Sequence, residues 1–211
     1  MSIRRTPVSA PDRRSRFPAS QARKGGRSGD APLAIVERPA TLVQVTARKG
    51  RQAELAAAIG KALALELPEA GRVATAADKT ALWLQPGSWL IEAPAGQRRV
   101  LPASLTQALN GIAAVVDQSH GRCIIEISGA EARAVLARLC RLDLHERAFA
   151  VGHSAATLVG HVSCLIHRAD GETTCFRLLV GSTFAEWLLD EITAAAASYG
   201  WSFNSAGEAA A

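Results

Sequence analysis

The stretch that decides the fold is residues 115–149, VVDQSHGRCIIEISGAEARAVLARLCRLDLHERAF. Apolar residues alternate from Arg122 to Ile127, which is typical of a strand with one face buried. Ser128 and Glu131 then have the spacing of a capping box, in which two side chains satisfy backbone N–H groups at a helix start. The helical spacing i, i+3, i+4, i+7 follows in Ala132, Val135, Leu136 and Leu139. The stretch predicts a strand followed by an amphipathic helix.

The chain after this helix predicts two strands and a second helix. Strands are expected around 157–168 and 173–180, joined through Asp170-Gly171, a dipeptide favoured in hairpin turns. Thr183 and Glu186 form a second potential capping box. It would open a long helix that carries Phe184, Leu188, Ile192, Ala195 and Tyr199 on one face.

The preceding residues have the same order of features, about 80 residues earlier. A strand at 42–46 is followed by an amphipathic helix at 50–64, a hairpin around Pro86-Gly87 and a helix at 101–109. We therefore predict an α+β protein of two pseudo-repeated β-α-β-β-α units with antiparallel sheets, each unit closed by a final strand. The expected boundaries are a disordered basic tail at 1–32, units at 33–115 and 116–204, and a flexible end at 205–211.

The net charge of +5 lies in the tail and not in the body of the protein. Residues 1–30 carry eight Lys or Arg and two Asp, so the remaining chain has 16 basic and 17 acidic residues. The tail is expected to be a solvated extension, or alternatively an arm for phosphates or acidic protein surfaces. A neutral body with 5% aromatic residues argues against a nucleic-acid groove. No apolar run reaches the length of a membrane span.

The sequence contains few motifs that would indicate catalysis or cofactor binding. The fingerprints GxGxxG, GxxxxGK[ST] and GxSxG are absent. The four cysteines form no CxxC pair, which favours reduced structural thiols and a cytoplasmic location. His161 and His167 are predicted on one strand, about 20 Å apart, so a metal site is not expected. Trp83 and Trp89 flank a hairpin and are interpreted as packing residues, with a ligand or partner anchor as the alternative.

Three motifs together carry a resemblance to a known family: Asp117 to Arg122, Leu142 to His145, and Leu165 to Arg168. Their layout resembles the folate-binding aminomethyltransferases of the glycine cleavage system. It is more similar to the gamma subunit family of heterotetrameric sarcosine oxidase, over roughly residues 35–203. The resemblance implies an aminomethyltransferase folate-binding-domain-like fold.

The resemblance also implies a function. Sarcosine oxidases of this type demethylate sarcosine oxidatively to glycine and hydrogen peroxide, with transfer of the one-carbon unit to tetrahydrofolate. The gamma chain would be a noncatalytic partner of alpha, beta and delta subunits. FAD, FMN, NAD, tetrahydrofolate and zinc would lie on those other subunits, and this chain would carry no cofactor. A stand-alone folate-binding aminomethyltransferase-like protein is the alternative.

One departure argues against folate chemistry on this chain. In the aminomethyltransferases, the strand equivalent to 160–168 carries an acidic residue that handles the folate amine. Here the stretch GHVSCL lacks a carboxylate, so a proton-transfer group is missing unless His161 substitutes for it. We predict no catalytic, cofactor or metal residues, and name Asp117, His120 and Arg122 as candidates for partner contact. A local structural role for their loop is the alternative.

Overall fold

A computed structural model of the protein describes residue 17, residues 23–26 and residues 33–205. These residues form four α-helices: α1 (Gln52–Leu63), α2 (Leu101–Ala108), α3 (Ala132–Ala137) and α4 (Ala185–Ala195). The strands are β1 (Arg23–Gly25), β2 (Leu33–Glu37), β3 (Ala40–Ala47), β4 (Val73–Ala76), β5 (Lys79–Gln85), β6 (Ser88–Pro94), β7 (Ala113–Asp117), β8 (Arg122–Ser128), β9 (Ser154–Val159), β10 (Val162–Ala169), β11 (Cys175–Gly181) and β12 (Trp201–Asn204). None of the helices in this described part has the length and apolarity that a bilayer crossing demands.

The strands form two sheets. The five-stranded sheet has the order β4-β5-β6-β3-β7, and all of its pairs are antiparallel. The seven-stranded sheet has the order β1-β12-β2-β8-β11-β10-β9, in which only the pair of β2 and β12 is parallel among the described strands. The α+β class with antiparallel sheets is therefore confirmed.

The element order β-α-β-β-β-α-β runs from β3 to β7 and again from β8 to β12. Each half therefore has one strand more than the predicted β-α-β-β-α order with its closing strand. In the second half the single strand expected at 157–168 is two strands, β9 and β10, because Gly160 adopts a positive φ of 61° and reverses the chain. His161 lies in that turn, so its predicted position on one strand with His167 is wrong.

Strand β2 belongs to the seven-stranded sheet although it lies within the first predicted unit, 33–115. It lies between β8 and β12, whereas the equivalent strands of the first half, β3 and β7, pair directly. Strand β7 also spans the expected boundary between residues 115 and 116. The sheets do not divide at this boundary. The division into units at 33–115 and 116–204 stays a prediction from the sequence pattern.

Part of the predicted disordered tail packs on the body. Strand β1 extends the seven-stranded sheet through β12. Phe17 is buried, with its ring edge-on to Phe203 at 4.9 Å between centroids. The structure departs from the expected disorder at these residues, where Phe17 makes an aromatic contact and β1 pairs with β12. The disordered tail at 1–32 otherwise stays a prediction. Residues 1–16, 18–22, 27–32 and 206–211 lie outside the described residues.

Both predicted capping boxes are wrong. Ser128 pairs with Cys175 in the sheet, and α3 begins after Glu131 without a side-chain cap. A 3-10 turn, Ser182–Phe184, precedes α4, which also lacks a side-chain cap. Strand pairing and the extra turn move each helix start beyond the capping side chain. Helix α4 ends at Ala195, so Tyr199 lies outside the predicted apolar face. Phe184 precedes the helix and is exposed.

The two sheets pack face to face, with helices on the outer faces. Leu42, Leu82 and Leu90 of the five-stranded sheet meet Ile124, Leu165 and Leu179 of the seven-stranded sheet in one apolar cluster. Helices α1 and α2 cover the first sheet, and α3 and α4 cover the second. Trp83 and Trp89 lie directly opposite each other on β5 and β6, and Trp89 Nε1 donates to the Pro68 carbonyl at 2.8 Å. Both side chains belong to the apolar cluster under α1 and α2, which confirms their interpretation as packing residues.

Candidate functional site

A layer of polar side chains continues the apolar cluster between the sheets. In the second sheet His167, Arg177 and Glu126 are direct cross-strand neighbours on β10, β11 and β8. In the first sheet Glu92 of β6 lies opposite Thr80 of β5. Alternation along β10 places His167 on the face of Leu165, which packs between the sheets. We call these five residues, with Arg38, the polar layer.

Four charges of the polar layer form a chain that links the two sheets. Arg177 Nε donates to Glu126 Oε2 at 2.8 Å, and Arg177 Nη1 lies 3.4 Å from Glu92 Oε1 across the sheet interface. Arg38 Nη1 lies 3.4 Å from the Glu126 carboxylate. Arg177 thus holds a carboxylate of each sheet, and its charge is fully matched within the layer.

Burial and neighbouring charges have opposite effects on the pKa values of Glu92 and Arg177. Burial raises the pKa of the Glu92 carboxyl, while the positive charges of Arg177 and Arg38 oppose the increase. Burial disfavours the Arg177 cation, but Glu92 and Glu126 outweigh it and raise the pKa of Arg177. The Oε2 atom of Glu92 has no hydrogen-bond partner among the described residues. Arg177 therefore stabilises the polar layer through its ion pairs, and Glu92 bears most of the desolvation penalty.

His167 is a deeply buried titratable side chain of the polar layer, and its ring has no hydrogen-bond partner among the described residues. Its exposed fraction is 2%. Burial, reinforced by the charge of Arg177, lowers the pKa of His167 to about 3. The imidazole is neutral at pH 7, so it presents one donor and one acceptor.

Two cavities open beside the polar layer and share Thr75, Thr80 and Arg177 as lining residues. The first, of about 490 Å³, also contacts Arg38, Asp78 and Glu92. The second, of about 440 Å³, also contacts His167, Arg168 and Asp170, and we call it the His167 cavity. Both volumes are in the range of small-molecule sites.

The predicted contact residues lie elsewhere, in the connection from β7 to β8. Asp117 Oδ1 accepts from the Ser119 N–H at 2.9 Å, and Ser182 Oγ donates to the His120 carbonyl at 2.8 Å. The Arg122 N–H donates to the Gln118 carbonyl at 3.1 Å. These bonds agree with the local structural role that we kept as the alternative, and partner contact stays a prediction.

The structure does not bring these loop residues into the polar layer. Arg122 begins β8 and Glu126 follows four residues later, about 13 Å away along the strand. Sequence reasoning missed the polar layer because its members are separated in the chain. One local signal was present: Glu126 and Arg177 each interrupt an apolar run within their strand.

The four cysteines are free and buried. Burial raises the pKa of Cys164 to about 12 and that of Cys175 to about 11. These side chains are thiols at neutral pH, which agrees with their predicted structural role. In the described part of the chain, no group of three or more His, Cys, Asp or Glu side chains is arranged to hold a metal ion.

Solved structures with similar folds define the class of protein. A heterotetrameric sarcosine oxidase from Corynebacterium sp. U-96, in complex with pyrrole 2-carboxylate, matches with a TM-score of 0.68 and 30% identity. The match covers 81% of this chain and 88% of that one. Aminomethyltransferase T of the glycine cleavage system from Bartonella henselae has a TM-score of 0.57 at 18% identity, over 77% of this chain and 45% of that one. The protein is thus an α+β protein with an aminomethyltransferase-like fold.

Sequence comparison narrows this class to one family. The sarcosine oxidase, gamma subunit family matches residues 49–198. A sarcosine oxidase subunit gamma from Arthrobacter sp. is 37% identical over 188 residues, covering 84% of this chain and 90% of the relative. One from Corynebacterium sp. (strain P-1) is 36% identical over 144 residues, covering 65% and 69%. The chain belongs to the sarcosine oxidase gamma subunit family, as the sequence motifs predicted.

Proposed function

We propose that this chain acts as the noncatalytic gamma subunit of a heterotetrameric sarcosine oxidase. The assembly would demethylate sarcosine oxidatively to glycine and pass the one-carbon unit to tetrahydrofolate. The observation that carries this proposal is similarity to a gamma subunit along 90% of that relative's length.

The finer assignment concerns partners and cofactors. Alpha, beta and delta subunits would be the partners, and FAD, FMN, NAD, tetrahydrofolate and zinc would reside on them. The missing nucleotide-binding fingerprints in this sequence support that division. The four free, buried cysteines favour a reducing compartment, so we place the protein in the cytoplasm.

Co-expression tests the role in assembly. With the other three subunits, this chain should co-purify in equal stoichiometry, and alone it should show no flavin absorbance. Recovery of an active, stable complex that lacks the chain would contradict an essential structural role. The alternative, a stand-alone folate-binding protein, is tested by calorimetry of the isolated chain with tetrahydrofolate. Binding at about micromolar affinity would favour that alternative.

Two neighbouring aromatic side chains provide a candidate contact with another subunit. Phe184 is 52% exposed and Trp187 38% exposed at the start of α4. The Trp187 ring also lies beside His161, 6.4 Å between centroids. Exposed aromatic pairs often become the central anchors of protein interfaces. We propose that this pair contacts a larger subunit of the complex.

Replacement of Phe184 with serine is expected to weaken co-purification with the other subunits, by about tenfold in affinity. The matched control is Val100→Ser, which removes an exposed apolar side chain before α2. His120→Ala and Arg122→Ala test the loop candidates, together with Asp117→Asn, in the same pull-down assay. If Phe184→Ser and Val100→Ser are retained equally well, the proposed contact at Phe184 is wrong.

A further inference from the structure

Strand β7 is an outer strand of the five-stranded sheet and pairs with β3 alone among the described strands. Continuing the register of this pair, the Gln118 N–H donates to the Leu42 carbonyl at 2.7 Å. In an antiparallel pair, residues that exchange hydrogen bonds alternate with residues whose backbone groups point away from the partner strand. The backbone groups that point away from β3 therefore belong to Ala113, Val115 and Asp117.

These outward backbone groups form an open sheet edge. The Ala113 N–H donates to the Leu109 carbonyl at 3.0 Å, but none of the residues that the structure describes bonds to the backbone of Val115 or Asp117 on this side. The side chain of Val116, beside this edge, is 49% exposed. A row of free N–H and carbonyl groups is a template for a further strand.

The other outer strands are protected against such pairing. Strands β4 and β9 are joined where each begins, because the Val73 N–H donates to the Gly152 carbonyl at 2.8 Å and the Ser154 N–H donates to the Gly71 carbonyl at 2.9 Å. Strand β1 has three residues, of which two are basic. Covering contacts, short strands and charged side chains all discourage strand addition. The sequence of β7, AAVVD, contains no Lys, Arg or Pro, so β7 is the outer strand best suited to pair with another chain.

We propose that β7 accepts an extended strand from another subunit of the sarcosine oxidase complex, as a sixth strand of this sheet. The inference rests on the assembly role proposed above. A second copy of this chain fits the edge less well. In symmetric pairing centred on Val115, the Asp117 carbonyl would face the Ala113 N–H, which already donates to Leu109. Because Val116 is exposed beside the edge, the added strand should carry an apolar side chain next to it.

Amide hydrogen exchange tests the pairing, when it is followed by mass spectrometry with fragmentation that resolves single residues. In the isolated chain the amides of Val115 and Asp117 should exchange fast, while those of Ala114 and Val116, which face β3, should exchange slowly. In the complex co-expressed with the other three subunits, exchange at Val115 and Asp117 should slow at least about tenfold. Equal exchange at these two amides in the isolated chain and in the complex would overturn the proposal.

A proline substitution tests the outward N–H directly. Val115→Pro removes an N–H that has no partner among the described residues, and edge strands tolerate proline at such positions. The variant should be folded by circular dichroism, and its co-purification with the other subunits should fall at least about tenfold. Val115→Ala keeps the N–H and should co-purify like the parent. Parental co-purification of folded Val115→Pro would refute the proposal, as would a dimer of the isolated chain that this variant dissociates.

The two measurements separate this inference from the assembly role. A parent chain that fails to co-purify with the other subunits would contradict the assembly role itself. A parent chain that co-purifies while its Val115 and Asp117 amides stay unprotected would contradict only the strand addition. If Val115→Pro does not fold, the exchange measurement on the parent decides.

Discussion

Replacing Arg177 with methionine is expected to lower the free energy of unfolding by about 3 kcal/mol. Methionine fills a similar volume but leaves Glu92 without its ion pair and Glu126 with Arg38 as its remaining cation. Because these groups are largely buried, water cannot fully replace the lost partner. Chemical denaturation at pH 7, monitored by tryptophan fluorescence, measures the loss.

The controls for this prediction distinguish charge from packing. Arg141→Met, at an exposed position, should change stability by less than about 0.5 kcal/mol. Adding Glu92→Gln and Glu126→Gln to Arg177→Met should recover most of the loss, because the unpaired charges are then removed. A loss below about 1 kcal/mol in Arg177→Met would show that the charge chain contributes little. No recovery in the triple variant would assign the effect to packing.

The second large effect is an acid destabilisation caused by His167. The folded chain keeps this imidazole neutral down to about pH 3, whereas the unfolded chain protonates it near 6.5. The stability that His167 contributes is therefore fully present above pH 6.5 and is lost progressively as the pH falls towards about 3. The slope from this residue approaches about 1.4 kcal/mol per pH unit within that window.

The raised pKa of Glu92 acts in the opposite direction. The folded state takes up a proton at Glu92 more readily than the unfolded state, so stability from this residue increases as the pH falls towards 4.5. The His167 contribution must therefore be measured as a difference. His167→Gln should flatten the stability profile between pH 6.5 and 4, while His161→Gln, at an exposed turn, serves as the control for loss of an imidazole. Parallel profiles for the parent and His167→Gln would contradict the prediction.

Local periodicity in the sequence predicted most strands and helices, but not their ends. The capping-box prediction at Ser128 was wrong because sheet pairing with Cys175 extends β8 through that residue. The turn at Gly160 was missed because it lacks the Asn-Gly or Asp-Gly pair that marks tight hairpins. Packing of Phe17 on Phe203 was also beyond local patterns, since the two are 186 residues apart in the chain and meet through the position of β12.

The sequence alone determined the α+β class and the family, because strand alternation and helix spacing are local and the family motifs are contiguous. The polar layer was decided by the tertiary structure. Arg38, Glu126 and Arg177 come from three separate regions of the chain and meet through strand pairing in the seven-stranded sheet. Glu92 joins them only when the five-stranded sheet stacks on that sheet. Each isolated charge looks like a solvated surface residue, since burial depends on which strand lies opposite and no local period records that pairing.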